Sequence, residues 1–91
     1  MKIKVHSTWI DEERQIAYSK TDEVELVNNK DRLKALQSLV GGYIELVVHN
    51  NKHYLVDEEG LLKGFPINLW ALQELGLQLF GNVLELSEKL D

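Results

Sequence analysis

The chain has 91 residues, 44% apolar and 27% charged, with a formal net charge of −5 and no cysteine. That is enough for one domain, residues 1–91, with a single core that buries only roughly 60–70% of the unfolded surface. The acidic balance weighs against long nucleic acid, whose binders draw most of their affinity from Lys and Arg on phosphates; the missing cysteines exclude a disulfide scaffold, a thiol nucleophile and a thiolate metal site. A small nucleotide stays compatible, because backbone N–H groups and one or two cations suffice for two or three phosphates. No apolar run approaches the ~18 residues of a membrane span, and Met1–His6 has neither an apolar h-region nor a small-residue cleavage site, so a soluble intracellular protein without a membrane partner is expected.

Lys2 to Thr8 alternates, with Ile3, Val5 and Ser7 on one side and Lys2, Lys4, His6 and Thr8 on the other: a half-buried strand. Asp11, Glu12 and Glu13 make a polar turn, and Ile16 and Tyr18 at period two return the chain as a hairpin. Glu23 to Val27 reads as a short third strand or an extended lead-in. Asn28 and Asn29 are N-cap candidates for a helix at about 30–40, in which Leu33, Leu36 and Leu39/Val40 fall at helical spacing. Gly41 suits the left-handed position that ends it.

Tyr43 to Asn50 is a strand with Ile44, Leu46 and Val48 on one face and Tyr43, Glu45, Val47 and His49 on the other. Asn50 and Asn51 tolerate positive φ and turn the chain into Lys52 to Asp57. Two registers are open. A two-residue loop sets Leu46 against Leu55 and Val47 against Tyr54; a three-residue loop sets Val48 against Tyr54 and Leu46 against Val56, gathers the apolar residues better, and aligns Glu45 with Asp57 and His49 with His53. Asp57 to Gly60 is a turn, Leu61 and Leu62 continue briefly as strand, and residues 64–68 are loop. Asn68 caps a short helix at about 69–75 closed by Gly76. Leu79 to Leu86 is a final strand with Leu79, Gly81 and Val83 inward, and Ser87 to Asp91 is a fraying tail. The sum is an α+β fold: a mainly antiparallel sheet of about five or six strands, one main helix and one short one.

Gln37, then Gly41, Gly42, Tyr43, Ile44 and Glu45, then Asp57, Glu58, Glu59 and Gly60, then Pro66, Asn68 and Ala71, then Gly81, together make this chain similar to a family of small phage and mobile-element proteins known chiefly as a domain of unknown function. The resemblance covers about residues 33–86, the family-like core, and leaves the N-terminal hairpin region, residues 1–27, unmatched. The family pattern often has Asn where this chain has Asp57. The resemblance implies phage or prophage origin, action in the host cytoplasm, and a role in occupying something: a host protein, or a signalling nucleotide of host defence.

The residues themselves carry no catalytic or cofactor set. Asp57, Glu58 and Glu59 stand before Gly60 as a solvated turn would, and His49 with His53 is an incomplete metal site. Gly41 and Gly42 follow a helix and do not open one, unlike a phosphate loop. Tyr43, Tyr54, Phe65 and Trp70 offer a stacking surface, Asn68 a base-edge reader, and Lys63, with Lys20 and Lys52, phosphate charge; the competing reading makes Phe65 and Trp70 core or dimer contacts, and Trp9 and Tyr18 share that ambiguity. The leading expectation is a non-enzymatic sponge for a cyclic-type signalling nucleotide, with Tyr43, Tyr54, Phe65, Asn68, Trp70 and Lys63 as its site. The alternative is a module that inhibits or redirects a host protein through Asp11 to Glu13, Glu23 and Glu25. A homo-oligomer is expected, joined through Trp70, Leu72 or the sheet edge.

Overall fold

The structure, a computed structural model, describes residues 1–27 and 30–87. Its elements are β1 (Lys2–Asp11), β2 (Ile16–Glu25), α1 (Arg32–Val40), β3 (Ile44–His49), β4 (Lys52–Asp57), α2 (Leu69–Leu75) and β5 (Val83–Leu86). The strands form one antiparallel sheet of five in the order β2-β1-β5-β4-β3. The α+β fold expected from the sequence is present. Asn28, Asn29 and the tail beyond Ser87 lie outside the described residues, and Asp31 occupies the N-cap position of α1.

Two small cores lie on opposite faces of the sheet. Ile3 pairs with Leu86, Val5 with Leu84, and Leu55 with Leu84; these residues share a face and pack with Leu36 and Val40 of α1. The alternate residues Tyr54, Val56 and Val83 pack with Ala71 of α2. A strand presents every second side chain to each face, so β4 and β5, covered on both, are buried along nearly their whole length. β1 is half-buried as its alternation suggests, except that Trp70 of α2 also covers His6 and that Thr8 is buried against the Ile67 carbonyl.

This double covering decides between the two hairpin registers that the sequence left open. Asn50 and Asn51 both have positive φ, 51° and 63°, as a two-residue type I′ turn requires, and His49 pairs with Lys52, Val47 with Tyr54 and Leu46 with Leu55. The three-residue loop gathers apolar residues onto a single face. With α1 on one side of β4 and α2 on the other, Leu55 and Tyr54 are each buried without it. Glu45 consequently meets Val56 and not Asp57, and Val48, not His49, faces His53.

Three other expectations change. Residues 23–25 are no third strand but the end of β2, where Val24 faces Ile3 and Leu26 exchanges backbone hydrogen bonds with Met1. Leu61 and Leu62 are exposed turn residues, held in a coil by Lys63 N–H to the Glu59 carbonyl and Phe65 N–H to the Gly60 carbonyl. The final strand shortens to Val83–Leu86, while Phe80 makes an isolated bridge with Ile67. Gly60 is required at that crossing, since a Cβ there would stand 2.5 Å from the Phe80 carbonyl oxygen. Gly41 ends α1 at φ 102° as expected.

Asn68 joins these parts. Its side-chain oxygen accepts the Ala71 N–H at 2.9 Å as the α2 cap, and its amide nitrogen donates to the His6 carbonyl at 2.9 Å and the Gly81 carbonyl at 2.8 Å. The residue is fully buried. Replacing it with Ala strands two carbonyls and one N–H, at a cost of about 3 kcal/mol. Asp caps helices as well as Asn does, yet Asn68→Asp sets an anionic oxygen against two carbonyls and is expected to cost at least as much; urea denaturation at neutral pH compares the two, and a near-neutral Asp variant contradicts the role.

Candidate functional site

The six residues singled out by the sequence divide between the two faces of the sheet. Lys63 and Phe65 lie beside the α1 C-terminus. Tyr54, Asn68 and Trp70 belong to the α2 side. Tyr43 is exposed just before β3. They do not converge on one pocket, and the buried side chains of Tyr54 and Asn68 serve the fold.

Near the end of α1, the Lys63 ammonium donates to Asp57 Oδ2 at 2.6 Å and to the Gly41 carbonyl at 3.1 Å, and lies 5.6 Å from the Phe65 ring centroid. Asp57 Oδ1 accepts the Glu59 N–H at 2.8 Å. Burial by itself drives the Asp57 carboxyl up; Lys63 and the Glu59 N–H outweigh it and hold the group below its ordinary value. Phe65 also borders a cavity of about 220 Å³ with Ser38, Gly41, Pro66, Gly81 and Asn82. The polar groups around this cavity are largely engaged: Asn82 donates to the Leu39 carbonyl, and the Thr8 hydroxyl lies 3.3 Å from the carbonyls of both Tyr18 and Ile67. The residues on which the family resemblance rests therefore build a junction, in which Gly41, Asp57, Gly60, Pro66, Asn68 and Gly81 all make contacts internal to the fold.

On the opposite face His6 is buried between Thr21 and Glu85, with Nδ1 2.7 Å from the Thr21 hydroxyl and Nε2 2.8 Å from Glu85 Oε1. The Trp70 indole stacks flat on the imidazole, 3.5 Å between centroids and 4° between planes, and Tyr54 tilts against Trp70. A carboxylate at Nε2 fixes the proton there, so Nδ1 accepts from Thr21. Burial pushes the imidazole below its ordinary value; the Glu85 hydrogen bond and charge pull the other way, while Lys4 adds to the lowering. Burial and Glu85 together raise the Tyr54 phenol. Glu85, His6 and Thr21 have the connectivity of an acid–base relay, but the indole seals one ring face. No local pattern marks this set, because its members lie far apart in the chain and meet only through strand pairing.

The third feature is the outer end of the β1–β2 ribbon. β5 pairs with β1 only from Ile3 to His6, so residues 9–18 project as a two-stranded arm. Trp9 and Tyr18 pair across it and stack at 5.6 Å. Trp9 is 43%, Ile10 51% and Ile16 44% exposed. The tip is acidic, with Asp11 Oδ1 accepting the N–H groups of Glu13 and Arg14. Trp9 and Tyr18 were visible in the sequence as aromatics of open role; the signal missed was Ile10 and Ile16 flanking the acidic turn with no strand beside them. Among the described residues no cluster of three metal-ligating side chains occurs and no helix is long and apolar enough to cross a membrane.

The two ionisable networks make separable predictions. Because the His6 pKa is lower folded than unfolded, the unfolded chain binds more protons near the ordinary value of 6.5; stability falls as pH drops through that region and levels off below the folded pKa. Thermal melts between pH 7.5 and 5 should show this slope, diminished in His6→Gln. Asp57, depressed when folded, contributes stability above the usual carboxylate range that is lost at lower pH, as the folded pKa is passed. Lys63→Met leaves a buried carboxylate without its cation and should cost on the order of 2 kcal/mol, less than a fully buried pair because Lys63 is partly in water. Asp57→Asn keeps one acceptor oxygen for the Glu59 N–H and loses the one for Lys63, whose ammonium retains the Gly41 carbonyl and water; because no unpaired buried carboxylate is left, it should cost less in the same melts.

No curated protein and no solved structure matches the chain. The family comparison does match, over residues 10–89. It takes in the projecting arm from Ile10 onward and both helices, more of the chain than the residues 33–86 that carry the resemblance in sequence. The chain therefore belongs to the family described as Domain of unknown function (DUF3846).

Proposed function

We propose that this protein is a non-enzymatic binding domain that acts on another protein through its projecting β1–β2 arm. The observation that carries the reading is the exposed apolar surface of Trp9 and Ile16, which share one face of the arm with Tyr18 beside the acidic turn, with Ile10 exposed on the other face. Soluble proteins rarely leave such surfaces together without use, and a Trp anchor rimmed by charge is the anatomy of an interface centre. The partner surface is an apolar depression ringed by Lys and Arg, complementary to Asp11, Glu12 and Glu13. A phage or mobile-element origin, as the family resemblance implies, makes a host protein the natural target.

Capture from host lysate with the wild type and with Trp9→Ala tests this. Truncating a Trp anchor costs about 2 kcal/mol or more, roughly a 30-fold loss of affinity. A stoichiometric partner lost with Trp9→Ala, the melting temperature being unchanged, supports the arm. A partner held equally by both forms removes it.

The cavity beside Phe65 supports a second reading, sequestration of a small nucleotide of host defence. Its volume of about 220 Å³ suits a base or another part of such a ligand, with Lys63 alongside. A thermal-shift screen against linear and cyclic nucleotides tests it: ligand at 100 times its Kd adds about 2.7 kcal/mol, and the effect should disappear with Phe65→Ala.

A further inference from the structure

The sheet ends in two edges of different character. β2 carries Lys20, Asp22, Glu23 and Glu25 along the outer strand, with Lys20 and Asp22 paired at 3.3 Å, charges of the kind that blunt an edge against further pairing. β3 is the opposite. Its ionisable side chains are Glu45 and His49 alone, and Leu46 is 46% and Val48 58% exposed. Beside it, between α1 and β3, lies a cavity of about 210 Å³ lined by Arg32, Leu33, Leu36, Ile44 and Leu55.

The direction of the free backbone groups follows from one bond. Glu58 N–H donates to the Tyr43 carbonyl, so the odd-numbered residues of β3 turn their N–H and C=O groups toward β4. By antiparallel alternation those of Ile44, Leu46 and Val48 point to the open edge. We propose that this edge pairs with the same edge of a second copy of the chain, antiparallel about a twofold axis through Val47, giving a dimer with one continuous sheet.

The register is chosen by side-chain complementarity. With the axis at Val47, Leu46 meets the partner's Val48 on the α1 face, and on the α2 face Val47 meets the partner's Val47 while Glu45 meets the partner's His49. Each of these contacts except the central one occurs twice, as an isologous interface demands. An axis at Leu46 places Glu45 against the partner's Val47 and leaves its carboxylate without a hydrogen-bond donor. Pairing also extends the apolar surface that runs from Leu33 to Leu46, supplementing two cores that are small in a chain of this length. The arm is at the other end of the sheet, so this dimer does not depend on the reading given above.

The chain has no cysteine, so one introduced thiol reports the register. Val47→Cys places two thiols in a non-hydrogen-bonded antiparallel pair, about 4.5 Å between Cα atoms and within disulfide reach. Leu46→Cys places them two positions apart along the strand, out of reach. The expected result is a molar mass of two chains by light scattering at high micromolar concentration, oxidative cross-linking of Val47→Cys but not of Leu46→Cys, and a folded monomer for the double variant Leu46→Lys/Val48→Lys, whose side chains are exposed in one copy. A monomeric wild type, cross-linking of Leu46→Cys in place of Val47→Cys, or a dimer that survives the double lysine substitution overturns the proposal. Should Val47→Cys fail to fold, the wild-type mass and the lysine variant decide.

Discussion

The carboxamide of Asn68 offers two donors and one acceptor oxygen, and the fold uses all three in a place without water. One acceptor bond starts α2; one donor bond fastens the helix to β1 at His6 and the other to the crossing segment at Gly81. Remove the amide and three backbone groups lose their partner together. Since an unmade buried hydrogen bond costs more than a made one contributes, this side chain ties the position of α2 to the register of β1. The His6–Trp70 stack depends on that placement, because Trp70 lies on the helix that Asn68 caps. So does the second core, in which Ala71 seats against Tyr54, Val56 and Val83.

A second tie works at the other face. Asp57, at the end of β4, holds Lys63 and the Glu59 N–H, and Lys63 in turn reaches the Gly41 carbonyl at the end of α1. The turn after β4 and the C-terminus of α1 are thus fixed to each other by one buried carboxylate. Between these two ties the sheet is clamped from both sides, which accounts for β4 and β5 being buried on both faces in so short a chain. The ends of the sheet escape the clamp: the β1–β2 arm extends past β5, and β3 lies outside β4 with its outer edge open. Apolar side chains are exposed at both places, and the two proposed interaction surfaces are drawn there.

Much of the fold was legible in the sequence. Period-two and helical spacing found β1, α1 and β3; the Asn50 and Asn51 turn led into β4, and Asn68 as a cap with Gly76 as a stop bounded α2; Gly41 and Gly76 marked helix ends, both at positive φ. What misled was the assumption of one inner face, under which the three-residue turn at Asn50 and Asn51 gathers more apolar residues than the real one. Of the expected site, Lys63 and Phe65 lie together, but Asn68, Tyr54 and Trp70 are held on the far side by the fold's own needs. Sequence spacing could not separate these groups, since nothing local states which face of the sheet a residue after a turn will join.

By itself the sequence determined the identity of the elements and their caps, because these depend on contacts within a few residues: helical spacing, glycine at positive φ, asparagine before a helix. It also determined that the chain carries no thiol chemistry. The tertiary structure alone decided which surfaces are left for function. Burial of His6 against Glu85, Thr21 and Trp70, engagement of Lys63 by Asp57, and exposure of Trp9, Ile10, Leu46 and Val48 all follow from strand order and from helices settling on opposite faces. These are long-range outcomes. An exposed valine on β3 and a buried one on β4 are the same residue in the same local pattern, and only the neighbour across the sheet, present or absent, makes them different.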